Sequence, residues 1–221
     1  TIEVIMKFSV INDSIKHLFG VGEKNAKMLY DLIIEKQLYN ILELGFAHGK
    51  STCYMAAALD ELKKGNITTI DIKIVMQNDP NIINLSKSLG LDKYISPIFS
   101  DISSNWELRK IIQQQSINNL CVPKYDFCFI DAFHSWEMAG FDFFLVDKLL
   151  VPGGWIIFDD LHWSFNASPS WSNSEKTKKM TPEYKETKQI LDVYTYLVQQ
   201  HPNYDNFRID GNFGFAQKII S

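Results

Sequence analysis

Residues 125–137, "YDFCFIDAFHSWE", carry two side chains able to do chemistry. An apolar run of strand character (Tyr125, Phe127, Phe129, Ile130) ends in Asp131, and His134 follows three residues later. A second apolar run, "WIIFDD", ends in Asp159 and Asp160. Carboxylates at the ends of neighbouring strands repel one another unless positive charge lies between them. A divalent cation meets that need. Oxygen donors in an exposed pocket favour Mg²⁺, Mn²⁺ or Ca²⁺ over a structural zinc. Asp131, Asp159 and Asp160 are thus the candidate metal ligands. An imidazole titrates near neutrality, so His134 is the candidate base for a hydroxyl proton. The competing readings are plain: an acidic pair that merely opens a loop, and a structural histidine after a turn.

Further candidates end other strands. "ELGFAHGKS" supplies Glu43, Gly45, Gly49 and Ser51. Glycine lets such a loop turn tightly and lets backbone N–H groups approach a ligand. The helix after it offers its N-terminus to a carboxylate or phosphate. The spacing is neither GxGxxG nor GxxxxGK[ST], and a simple strand-to-helix turn is the alternative. Asp71 ends the next strand, where a carboxylate can accept from both hydroxyls of a ribose, as a dinucleotide-binding protein also does. Asp101 ends the third, near where an adenine would lie, and a helix cap before Ser103 explains it equally well. His48 and His162, also near strand ends, are weaker candidates for substrate contact.

The elements that must position these residues alternate. Strands are expected at 39–45, 66–72, 94–101, 125–132 and 155–160. An amphipathic helix is expected at 23–37, and further helices at 50–65, 78–91 (opened by Asp79-Pro80), 104–116 and 136–154 (ending before Pro152). Such alternation indicates βαβ units and a parallel sheet. A Ser-, Asn- and Trp-rich loop follows at 161–181, with Trp163, Phe165 and Trp171 suited to cover an active site. One long helix is then expected over 181–201, with Thr181 as N-cap and Pro182 in the first turn. Asp210-Gly211 marks a closing hairpin.

Bulk properties exclude several classes. The 221 residues suit one α/β domain, with segment 1–39 as an N-terminal helical appendage and 40–221 as the main domain. A net charge of −4 provides no basic footprint for nucleic acid. No apolar run approaches the roughly 20 residues a membrane helix needs. Three cysteines without metal spacing read as reduced thiols in a cytoplasmic protein, with Cys53 and Cys128 facing the core. Thr1 in place of Met fits a processed or trimmed chain, or a domain of a longer polypeptide.

"ILELGFAHGKST", "IDI", "SD", "FIDAFHSWE", "LLVPGGWIIFDD" and the closing hairpin resemble class I S-adenosylmethionine-dependent methyltransferases over roughly 40–220. Ala47 departs from the glycine many members carry. The acidic pattern with His134 is similar to the metal-dependent macrocin and mycinamicin type of sugar O-methyltransferases. The resemblance implies an α/β, Rossmann-like seven-stranded sheet, mostly parallel, with an antiparallel C-terminal hairpin and helices on both faces. It implies that Glu43, Gly45, Phe46, Ala47, Gly49, Ser51, Asp71, Asp101 and Asp131 bind S-adenosylmethionine. It further implies that Asp131, Asp159 and Asp160 hold Mg²⁺ or Mn²⁺, and that His134 deprotonates the hydroxyl of a small-molecule or glycan acceptor. Catechol or phenol O-methylation is the alternative enzyme. A non-catalytic metabolite-binding module is the alternative outside catalysis, and a dehydrogenase fits the glycine loop poorly. Segment 1–39 could shape the acceptor pocket or support a homo-oligomer.

Overall fold

A computed structural model describes residues 7–220. The first six residues of the expected N-terminal helical segment lie outside that range. Two helices, α1 (Lys7–Ile15) and α2 (Glu23–Lys36), precede the first strand. Then β1 (Asn40–Leu44), α3 (Lys50–Leu62), β2 (Asn66–Ile72), α4 (Ile82–Ser88), β3 (Ile95–Ser100), α5 (Ser104–Gln115), β4 (Tyr125–Ile130), α6 (Trp136–Asp147) and β5 (Leu150–Phe158) alternate. The short helices α7 (Glu175–Lys178), α8 (Pro182–Glu186) and α9 (Gln189–Val193) follow, and α9 runs into a π-turn over Tyr194–Val198. The chain closes with β6 (Tyr204–Asp210) and β7 (Phe213–Lys218). The order across the sheet is β3-β2-β1-β4-β5-β7-β6, parallel through β5, with β7 antiparallel to both its neighbours. This is the expected architecture.

Strand side chains alternate between faces, and here both faces are apolar, so one sheet supports two cores. Ile41, Phe127, Phe129, Ile157, Phe213 and Phe215 pack with α1, α2 and α3. Leu42, Leu44, Cys128, Ile130, Ile156 and Phe158 pack with α5, α6 and α9. Cys53 and Cys128 are buried free thiols. The middle of α3 is "AAA", three fully buried small residues that let the helix lie close under α2 and the sheet. The α1–α2 segment shares this core: the Phe8 ring stacks on Tyr54 and meets Tyr30 edge-on.

Three expected boundaries moved. The helix expected from Asp79-Pro80 begins at Ile82, because the Asn81 side chain caps it by accepting from the N–H groups of Ile83 and Asn84. The helix expected over 136–154 stops at Asp147, and β5 takes Leu150–Gly154. Position 152 is a proline, which a helix interior rejects and a strand end tolerates. The long helix expected over 181–201 breaks, since Thr187 is extended (φ −63°, ψ 135°). The Thr181 cap and Pro182 at the first turn of α8 are as expected. The break frees Gln189, whose side-chain oxygen accepts from the Trp136 N–H at 2.7 Å and whose amide donates to the Tyr184 carbonyl at 2.7 Å. Gln189 thereby caps α6 from outside.

Candidate active site

Register decides which residues meet. Ile70, Leu44, Ile130 and Phe158 form one row across β2, β1, β4 and β5. The next residue on each strand is Asp71, Gly45, Asp131 or Asp159. Backbone bonds carry the row one step on: Gly45 N–H to Ile70 O, Asp131 N–H to Leu44 O, and Asp159 N–H to Ile130 O. Chain order reverses between β1 and β4, and the crevice at such a switch point, at the carboxyl ends of the strands, is where open α/β sheets bind ligands. A cavity of about 1130 Å³ opens there.

Gly45 is needed for a close approach. Its φ is +83°, and a Cβ would overlap the Asp131 carbonyl. Gly49 (φ +90°) is pressed against Ile82, away from the cavity wall. Phe46 and Ala47 both donate backbone N–H bonds to Asp71 Oδ2, each at 2.8 Å, and the Ile72 N–H takes Asp71 Oδ1 at 2.7 Å. Asp71 therefore shapes the loop as well as facing the cavity. Glu43 is fully buried below the loop and does not line the cavity. It accepts from the hydroxyls of Ser51, Thr52 and Thr69, and burial pushes its carboxyl up to about 7 despite these bonds. Ser51 lines the cavity beside it. Asp101 points to solvent and pairs with Lys73 at 3.1 Å, while its neighbours Ile102 and Ser103 line the wall. The helix cap at this position is Ser103, not Asp101. His48 bonds to the Pro80 carbonyl, and His162 is exposed outside the cavity.

On the other side of the crevice, Asp131, His134 and Asp160 converge. One ligand atom from each lies within 4.8 Å of the others. His134 Nε2 is 2.9 Å from Asp160 Oδ2 and 3.8 Å from Asp131 Oδ1. Burial, followed by the charges of Asp159 and Asp160, raises the Asp131 carboxyl well above its ordinary value. Burial and Asp160 push Asp159 up to about 7. Asp159 is turned partly away, accepting the Asp160 N–H at 2.6 Å. Two backbone strains sit at this point: Phe133 at φ +26° and Asp160 at φ +58°. Aspartate tolerates that region, whereas phenylalanine is rare there. The carboxylates of Asp131 and Asp160, with Asp159 at their edge and His134 alongside, are an oxygen donor set that suits a hard divalent cation chemically.

The cover is aromatic. Trp163 lies 4.6 Å from the His134 ring and 4.7 Å from Phe165, which meets Trp171 edge-on and stacks on Tyr184. The Tyr184 hydroxyl reaches Glu137 on α6 at 3.1 Å. Several contributors were not evident from spacing. Asn212, in the β6–β7 turn, donates to Asp160 Oδ1 at 3.2 Å. Phe19, Gly20, Val21 and Gly22, between α1 and α2, wall the cavity mouth. The α1–α2 loop is far from the strand ends in sequence and carries no recognisable motif, and an Asn in a hairpin turn is ordinarily there for the turn.

A β3-β2-β1-β4-β5-β7-β6 sheet with an acidic crevice at its switch point is the architecture of class I methyltransferases. A methyltransferase domain family matches residues 42–161, and the chain belongs to that family. No curated protein matches it significantly in sequence. Solved structures are similar in fold. The O-methyltransferase from Bacillus cereus in complex with S-adenosylhomocysteine (SAH) has a TM-score of 0.64 at 18% identity, over 97% of this chain and 89% of that one. The SAH-bound Podospora anserina methyltransferase PaMTH1 has a TM-score of 0.68 at 15% identity, over 96% and 87%. The MycE methyltransferase of the mycinamycin biosynthetic pathway, in complex with Mg, SAH and mycinamycin VI, has a TM-score of 0.58 at 14% identity, over 97% and 55%. Among the described residues no helix is long and apolar enough to cross a membrane.

Proposed function

We propose that the protein is an S-adenosylmethionine-dependent O-methyltransferase that acts on a sugar or glycan hydroxyl with the help of a divalent cation. The observation that carries this reading is the convergence of Asp131, His134 and Asp160 beside the Gly45 loop. The cofactor brings a methyl group already activated on a sulfonium, so no covalent enzyme intermediate is required. Phe46, Ala47, Ser51, Asp71 and Ile102 line the side of the cavity that would hold it. Asp131 and Asp160, with Asp159 adjacent, would hold Mg²⁺ or Mn²⁺, and a cation there would supply positive charge to an acceptor oxygen as it loses its proton.

The chain's own work is alignment and proton removal. The reacting oxygen must lie in line with the S–CH₃ bond, and water must be kept out. The cover built from Trp163, Phe165, Trp171 and Tyr184 serves the second need, and aromatic faces suit packing against sugar C–H groups. His134 would take the hydroxyl proton, oriented by Asp160. A sugar hydroxyl is a very weak acid, which accounts for a cation site and a base together; an amine acceptor would not need the metal. Catechol or phenol acceptors are the alternative within the same site.

A second reading is favoured by the 2.9 Å His134–Asp160 contact, in which the pair acts as a base dyad without a cation. The test is methyl transfer to a panel of sugars, glycosides and catechols, read by mass spectrometry, with Mg²⁺ or Mn²⁺ and then with EDTA. Transfer to a sugar that EDTA abolishes supports the proposal. Transfer that survives EDTA supports the dyad. Cofactor binding without transfer to any acceptor would indicate a binding module.

A further inference from the structure

Lys50 is the residue after Gly49, at the start of α3, and only 5% of it is exposed. Lysine is almost never buried to this degree without a carboxylate partner. Among the described residues none pairs with Lys50; its Nζ donates to the backbone carbonyls of Lys16 (3.2 Å) and Leu18 (2.8 Å). An ammonium has three hydrogens, so among the described residues one is left over together with the positive charge. Burial shifts the lysine pKa downward.

The place of this charge is specific. Lys50 lines the same cavity as the Asp131–His134–Asp160 cluster, following Gly49 of the glycine loop and with its side chain against Gly20. The other charged residues on the cavity wall are Asp71, Asp131, Asp159, Asp160 and Lys176. Lys176 sits on α7 in the cover, near the Trp171 ring. Lys50 is thus the cation on the glycine-loop side of an otherwise acidic cavity. The N-terminus of the 13-residue α3 adds partial positive charge at the same point.

We propose that Lys50 is a cofactor-binding residue whose ammonium pairs with the α-carboxylate at the amino-acid end of S-adenosylmethionine and of its product, SAH. This rests on the cofactor reading given above and adds a residue to it. Lys50 also ties the α1–α2 loop to the same spot through the Lys16 and Leu18 carbonyls, so the N-terminal segment closes the cavity where the carboxylate lies.

The test is isothermal titration of SAH and of 5′-methylthioadenosine, which lacks the amino-acid end, into wild type, Lys50→Met and Lys50→Arg. Wild type binds SAH. Lys50→Met weakens SAH roughly 10- to 100-fold, the range for a charge-assisted hydrogen bond, and leaves 5′-methylthioadenosine within about twofold. Lys50→Arg recovers most of the loss. Equal weakening of both ligands by Lys50→Met would mean that the lysine only anchors the loop, and would overturn the proposal. Unchanged SAH affinity in Lys50→Met, with wild type binding normally, would overturn it as well. Failure of wild type to bind SAH would instead remove the cofactor reading, and this proposal with it.

Discussion

His134 Nε2 lies 2.9 Å from Asp160 Oδ2, although 26 residues separate them in the chain. The contact joins the loop after β4 to the loop after β5. It exists because Ile130 and Phe158 are paired in the sheet, so both loops leave it side by side. Asn212 holds the far oxygen of the same carboxylate from the closing hairpin, and Trp163 packs on the imidazole.

His134→Ala is expected to lower kcat by roughly 10²–10⁴ while leaving SAH affinity within about twofold. Single-turnover kinetics together with calorimetry separate the two effects. Normal turnover would remove His134 as the base.

Asp160→Asn is expected to weaken Mn²⁺ binding at least about tenfold, because a neutral amide is a poorer ligand for a hard cation than a carboxylate. Asp101→Asn, at a carboxylate exposed beyond the cavity wall, serves as control and should bind Mn²⁺ as wild type does. Titration calorimetry or Mn²⁺ paramagnetic resonance reads both. Equal affinity in all three proteins would contradict the cation site.

Gly45→Ala is expected to cost at least about 2 kcal/mol of stability in urea unfolding, through its positive φ and the overlap with the Asp131 carbonyl. Gly211→Ala offers the contrast, since φ there is also positive (+59°) but nothing lies near a Cβ. Its loss should be smaller. Equal losses would show that backbone conformation, not the close approach, sets the requirement at Gly45.

Asp142 on α6 accepts from Ser104 and Asn105 at the start of α5, and burial pushes its carboxyl up to about 7 from an ordinary 3.8. Between those two pH values the folded state keeps a proton that the unfolded chain has released. Stability contributed by this group is therefore full below about pH 4 and falls as pH rises toward 7, by as much as ~1.4 kcal/mol per pH unit. Asp142→Asn should flatten that part of the curve. Chemical denaturation at pH 5 and pH 7 measures it, and an unchanged slope would argue against a buried neutral carboxyl.

Much of the site was legible because strands of a parallel sheet end where their apolar run ends. "NILEL", "NITTI", "YDFCFI" and "WIIF" each stop at a glycine or an acid, and these stops locate Gly45, Asp71, Asp131 and Asp159 at one edge. The helix boundaries read less well. In "FFLVDKLLVPGGW" apolar residues flank Asp147-Lys148 on both sides, so periodicity does not reveal where α6 gives way to β5. The 181–201 stretch has a helical pattern, yet it breaks at Thr187, a break that brings Gln189 to the α6 N-terminus, a long-range demand that no local pattern records.

The amino-acid sequence by itself determined the alternation of elements, the two-faced apolar sheet, the closing hairpin, and which strands end in carboxylates. These are local properties of side-chain type and period. Only the tertiary structure decided the partners: that His134 faces Asp160 more closely than Asp131, that Glu43 and Gly49 lie behind the cavity wall and Asp101 outside it, and that Lys50 is buried there with no carboxylate beside it among the described residues. Those outcomes depend on strand register and on how loops far apart in the chain pack together. Distance in space, not spacing in sequence, sets the electrostatics of the site.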